Sequence, residues 1–178
     1  MSNDSTPRIK SRFVVAAALF VILACGVAIS FAHPQAQSGA RSAANPAVPP
    51  GAHIDPSHVI YSWPSQIKWL GHPGGPHISM LVGDPAKPGL YIQLIKWSPH
   101  QMSRPHFHNT DRYITVLSGT WWVGTSAKFE PDTMVPMPAG SFVTDLAGKI
   151  HFDGAKEGTV IIEIVGQGPV STTPAEKK

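Results

Sequence analysis

The chain has 178 residues, 42% hydrophobic and 14% charged, so one domain with a real core fits, although charge falls well below the ~25% of an average soluble protein. Sixteen glycines and 18 prolines break helices and favour short strands between tight turns, which excludes a helical bundle or a coiled coil. One cysteine excludes an intrachain disulfide framework and zinc sites built on Cys pairs, and nine histidines direct any metal chemistry to imidazole. The basic balance is local: Arg8, Lys10 and Arg12, opposed by Asp4, precede a long apolar run. Of 14 Lys+Arg and 11 Asp+Glu, 11 and 10 remain from His33 onward. A body so nearly neutral lacks the clustered basic face of a nucleic-acid binder, and no nucleic-acid partner is expected.

Residues 1–32 read as a signal peptide or an N-terminal membrane anchor. Phe13 to Ala32 carries no charge, follows a cationic segment and ends in small residues, with Ser30 and Ala32 at the −3 and −1 positions of a cleavage site. A run of about 20 apolar residues is also long enough to span a bilayer. Ile22-Leu23-Ala24-Cys25 loosely resembles a bacterial lipidation site, although the apolar residues continue past the cysteine. Each reading places the folded part outside the cytoplasm, periplasmic or secreted, with membrane contact only through this segment. Residues 33–58 are small, polar and rich in Pro and Ala, the composition of a flexible linker that cannot offset its ordering entropy. Residues 171–178 (STTPAEKK) read as a disordered tail, and no internal repeat is visible.

Residues 59–170 read as the folded domain. Tyr91–Trp97 has strand character. Tyr113–Leu117, then Ser118-Gly119, then Trp121–Val123 reads as a hairpin. Ser141–Thr144 is another short strand, and Thr159–Val165, dense in β-branched residues, is the clearest of all. No segment sustains a 3.6-residue period, so the predicted class is all-β, a small antiparallel sandwich or barrel.

The chemistry concentrates in Pro105-His106-Phe107-His108. In a strand His106 and His108 project to one side and Phe107 to the other, which makes a natural imidazole chelate. His106 lies six residues after His100, and His108 is followed four residues later by Arg112 and then by Gly119. Further on, Gly140, Gly148, His151 and Ala155 fall in a second spaced set. These spacings resemble the two motifs of the cupin superfamily, G-x5-H-x-H-x3,4-E-x6-G and G-x5-P-x-G-x2-H-x3-N. Here His100 stands for the first Gly, Arg112 for Glu, Leu146 for Pro and Ala155 for Asn. Gly83-Asp84-Pro85-Ala86-Lys87-Pro88-Gly89 and the Thr115–Thr120 segment are similar to an exported group of single-domain bacterial cupins. The resemblance covers roughly residues 60–170 and implies a double-stranded β-helix, the RmlC-like jelly-roll barrel. It implies His106, His108 and His151 as ligands of a divalent metal ion such as Fe, Zn, Mn or Ni.

Arg112 in the place of the family's Glu ligand departs from that pattern. A guanidinium has no lone pair to offer and repels a cation. Three arrangements are open: Arg112 pairs with Asp111, or it points into the cavity and holds an anionic substrate bidentately, or the site is degenerate and metal-free. Tyr113 sits at the alternative x4 spacing, where a phenol would approach metal or substrate, and Arg112 with Tyr113 forms the candidate catalytic pair. Three histidines without a carboxylate resemble the three-His iron sites of cupin thiol and diketone dioxygenases. His100 is expected in a solvent-facing turn, His72 and His77 in a loop, and Met102, Met134 and Met137 in packing roles. One of Trp121 and Trp122 is expected inside, and Glu163 outside. Two functions follow: an exported metal-dependent, oxygenase-type enzyme acting on a small, anionic substrate, or a non-catalytic cupin that binds or senses a metal or small ligand. Edge strands make a homodimer an expectation.

Overall fold

The computed structural model describes residues 45–71 and 73–177. The expected leader (1–32), the first part of the linker (33–44), Cys25 and His72 lie outside the described residues. Among the described residues no helix is long and apolar enough to cross a membrane.

The described residues form eleven strands in order: β1 Leu70–Gly71, β2 His77–Val82, β3 Gly89–Trp97, β4 His106–His108, β5 Arg112–Ser118, β6 Thr120–Gly124, β7 Val135–Pro138, β8 Phe142–Asp145, β9 Phe152–Gly154, β10 Val160–Gly168 and β11 Thr172–Pro174. They form a six-stranded sheet in the order β1-β2-β3-β10-β5-β8, a three-stranded sheet β7-β6-β9 and a two-stranded ribbon β11-β4. Every pairing is antiparallel. The core follows from period-2 alternation. In β10, Val160, Ile162 and Ile164 are buried while Ile161, Glu163 and Val165 alternate with them on the half-buried outer face. In β5, Ile114 and Val116 point inward. Tyr91, Trp97 and Trp121 complete a core of large side chains between the sheets.

The Gly83–Gly89 segment is the turn between β2 and β3. Asp84 accepts the Ala86 N–H through its side chain (2.9 Å) and meets Lys87 Nζ at 3.2 Å. Two expectations are overturned. Residues 113–123 are not a hairpin: β5 pairs with β10 and β8, whereas β6 pairs with β7 and β9. Only Gly119 (φ 76°) separates the two strands, and a hairpin loop needs at least two residues. The chain therefore turns a corner there and passes from one sheet to the other. The tail is not disordered either, because Thr172–Pro174 forms β11 against β4 in the register Thr172↔His108, Thr173↔Phe107 and Pro174↔His106. Backbone pairing, not apolar burial, holds it, so composition alone gave no signal.

Candidate metal centre

β4 carries the two histidines of one chelate arm. His106 and His108 lie two residues apart on one strand and share a face, with ring centroids 4.9 Å apart. His151 precedes β9 and is bridged to His106 by two backbone hydrogen bonds, each N–H to O at 2.9 Å. Directly opposed antiparallel residues present side chains to the same side, so the His151 ring lies 4.5 Å from that of His106 and 5.2 Å from that of His108. One ligand nitrogen from each of the three lies within 4.8 Å of the other two, and the group can hold a metal ion.

The hydrogen bonds fix which nitrogen faces the centre. His106 Nδ1 sits 2.7 Å from the Arg104 carbonyl, His151 Nδ1 3.1 Å from the Lys149 carbonyl and His108 Nδ1 3.2 Å from the Ser171 carbonyl. A carbonyl only accepts, so each Nδ1 carries the proton in the neutral ring and each Nε2 keeps its lone pair. His108 Nε2 is buried without a hydrogen-bond partner, an orphan that a metal would satisfy. Burial above all, helped by the Arg112 guanidinium and the two neighbouring imidazoles, pushes the His108 pKa down to about 3. Burial likewise lowers that of His106. Both rings are thus in the neutral, ligating form at neutral pH.

This carries a stability prediction. His108 takes up a proton in the unfolded chain near pH 6.5 but in the folded protein only near pH 3. The unfolded state therefore binds more protons between these values, and metal-free stability falls as pH drops through that window. Unfolding titrations at pH 7 and pH 4.5 are expected to differ by roughly 2 kcal/mol from this residue. Burial raises the pKa of Asp153; that group is relieved by protonation and works in the opposite direction. His108→Gln should flatten the acid limb, and an equally steep limb in that variant would assign acid lability to other groups.

Arg112 points inward and is 7% exposed. It does not pair with Asp111, which instead accepts the Ala147 N–H at 2.7 Å. Its partner is Asp145, opposite it in the β5–β8 register, with Arg112 Nη2 2.5 Å from Asp145 Oδ2. Asp145 Oδ2 and Arg112 Nη2 also lie 3.4 and 3.5 Å from His151 Nε2. An unpaired guanidinium here would repel a cation by several kcal/mol. Paired with Asp145 it is neutralised on the spot, and the donor set therefore fits a divalent ion despite the missing Glu. The expected approach of Tyr113 is overturned: it follows Arg112 by one residue, so alternation turns it to the outer face, where it is 47% exposed.

A cavity of about 330 Å³ adjoins the cluster, walled by Ile95, Trp97, Trp121, Ile162 and Ile164 and edged by His106, Arg112, Asp153 and Thr172. Trp121 is the inward indole, while Trp122 lies half-buried under the Lys156 ammonium, 4.0 Å from its ring. His100 is exposed in a turn at φ 63°, and His77 pairs with Lys96 in the β2–β3 ladder. Met134 is buried and Met137 packs against the core. Asp145, Asp153, Ser171 and Thr172 were not singled out in the sequence. Asp153 shares strand parity with His151 and could have been found from that spacing; the other three meet the site only through long-range pairing.

No family model and no curated protein matches the chain. Solved structures do. The polyketide cyclase RemF from Streptomyces resistomycificus superposes with a TM-score of 0.55 at 17% identity, over 67% of this chain and 87% of that one. An uncharacterized protein with a double-stranded β-helix domain from Klebsiella pneumoniae gives 0.51 at 19%, over 66% and 97%. A cupin-2 domain from Rhodospirillum rubrum gives 0.51 at 12%, over 67% and 80%. At these identities the likeness shows the fold: this chain has the cupin double-stranded β-helix.

Proposed function

We propose that this cupin-fold chain is a metal-dependent enzyme acting on a small substrate held in the cavity beside His106, His108 and His151. The supporting observation is that one ligand nitrogen from each of the three histidines lies within 4.8 Å of the others, while each Nδ1 sits against a backbone carbonyl, which leaves Nε2 as the ligand. A bound divalent ion would supply Lewis acidity and, if iron, redox chemistry of the oxygenase type. The chain's own residues do the rest. The indole and aliphatic walls exclude water and receive an apolar body, Arg112 offers donors to an anionic group, and Asp153 provides a carboxyl whose basicity burial raises. The reading includes export: the charge-free Phe13–Ala32 run behind Arg8, Lys10 and Arg12 supports a periplasmic or secreted site of action. One observation favours the alternative of a non-catalytic metal- or ligand-binding cupin: the charge of Arg112 is already matched by Asp145, which reduces its pull on an anionic substrate.

Elemental analysis and thermal melts with added Zn²⁺ or Fe²⁺ test the site. A specific ion should stabilise the protein as RT ln(1 + [L]/Kd), about 2.7 kcal/mol at a hundredfold excess over Kd. His151→Ala should abolish that increment. A wild-type protein with no stoichiometric metal and no metal-dependent shift overturns the reading. Zinc bound without turnover moves it to the binding module; iron with oxygen uptake keeps the enzyme.

A further inference from the structure

Resting on the metal site just proposed, we propose that the C-terminal strand β11 is a working part of that centre, with Thr172 as the positioning residue of His108. The short strand β4 has few other supports. On one side, among the described residues, it has the bridge from His106 to His151 and the Gly148 N–H donating to the His108 carbonyl at 2.7 Å; on the other its ladder partner is β11. Thr172 stands opposite His108 in that ladder, and its Oγ1 lies 3.1 Å from His108 Nδ1. The Ser171 carbonyl lies 3.2 Å from the same nitrogen. Because the carbonyl can only accept, Nδ1–H donates to both oxygens, and the Thr172 hydroxyl is held as an acceptor. Two acceptors from consecutive residues, the first residue of β11 and the one before it, thus select the tautomer that leaves Nε2 bare and set the plane of the ring.

The strand is tied down at both ends. Before it, Ser171 N–H donates to Asn109 Oδ1 at 2.7 Å, and Asn109 Nδ2 donates to the Pro169 carbonyl at 3.1 Å. After it, Ala175 N–H donates to the Pro105 carbonyl (2.8 Å), Glu176 pairs with Arg104, and Lys177 N–H donates to the Ala127 carbonyl (2.9 Å). Arg104 is also the residue whose carbonyl orients His106. The same few residues of tail therefore brace both histidines of β4, while Thr172 and Pro174 form part of the cavity wall. All three residues of β11 are exposed, so the strand adds little to the core.

The test is zinc affinity of the full chain by chelator competition, beside thermal melts of the metal-free protein. Thr172→Val is expected to weaken zinc binding roughly tenfold, the lower end for a residue that orients a ligand, with the metal-free melting temperature within about 2 °C of wild type. Thr172→Ser should restore the affinity. Thr173→Pro, which puts a residue without an N–H opposite Phe107 in the ladder, should cost about a hundredfold. Unchanged affinity in both Thr172→Val and Thr173→Pro overturns the inference. So does a loss that Thr172→Ser fails to restore and that tracks a fall in metal-free stability, because β11 would then serve the fold alone. Failure of the wild type itself to bind zinc, iron, manganese or nickel is a different result: it overturns the metal reading on which the inference rests.

Discussion

Arg112→Glu is expected to move metal-free stability and metal affinity in opposite directions. In the wild type the guanidinium is 7% exposed and bonded to Asp145, itself 6% exposed. Removing one member of a buried ion pair typically costs about 3–5 kcal/mol, because the partner is left charged and unsolvated. Here the substitution also places a second carboxylate beside the first, so one of the two must take up a proton or the metal-free fold loosens. A divalent ion reverses that balance. The same two carboxylates, with three imidazoles already in place, become attractive to a cation rather than repulsive to each other. Zinc affinity should rise at least about tenfold while the metal-free melting temperature falls. Since the metal-free variant risks unfolding outright, Arg112→Gln serves beside it. It removes the charge without adding a ligand, and should lose stability without the gain in affinity. If Arg112→Glu leaves zinc affinity where it was, the side chain at 112 does not border the metal, and the resemblance of that position to a cupin ligand is one of spacing only.

The parts of this site that were legible in the sequence are those governed by short-range parity. His106 and His108 are two residues apart, so any strand puts them together; His151 comes from the resemblance to the second cupin motif and not from parity. Arg112 faces inward by the same alternation. That rule should have turned Tyr113 outward as well; the x4 spacing admitted a residue that the pleat of β5 cannot deliver while Arg112 points in. What stayed hidden depends on register over distance. Arg112 meets Asp145 across the β5–β8 ladder, 33 residues on, after the chain has crossed at Gly119 to the other sheet and returned. No local pattern encodes that pairing, and the adjacent Asp111 was the natural guess. The tail misled for another reason. Serine, threonine, proline and lysine in a terminal segment describe a chain that cannot bury surface, which is true of β11. Such a chain can still be ordered when a neighbouring strand offers an unpaired edge, and β4 offers one.

Gly154→Ala is expected to cost at least about 3 kcal/mol and to weaken the metal centre from behind. Gly154 has φ 153°, which side-chain-bearing residues rarely adopt, and an added Cβ would lie 2.2 Å from the Gln101 carbonyl oxygen and 2.6 Å from Met102 Cα. Backbone strain of this kind is worth roughly 1–3 kcal/mol, and the close atoms are main chain, which cannot rotate away. The segment they belong to is laced to β9. Ala155 N–H donates to the Gln101 carbonyl at 2.8 Å, Ser103 N–H to the Asp153 carbonyl at 2.7 Å, and Asp153 N–H to Ser103 Oγ at 2.8 Å. Residues 101–103 run directly into Pro105 and β4, so pushing them off Gly154 carries His106 away from its bridge to His151. At 2–4 °C per kcal/mol for a chain of this size, the melting temperature should drop by about 6–12 °C, and zinc affinity should fall with it. Gly158→Ala is the matched control: nothing lies within 4 Å of its added Cβ, and its φ lies outside the left-handed range, so its stability should stay within about 0.5 kcal/mol of wild type. A Gly154→Ala protein that melts like that control would mean the 101–103 segment yields freely. The His106–His151 spacing would then rest on the two backbone hydrogen bonds between them and on the β4–β11 ribbon, without help from that segment.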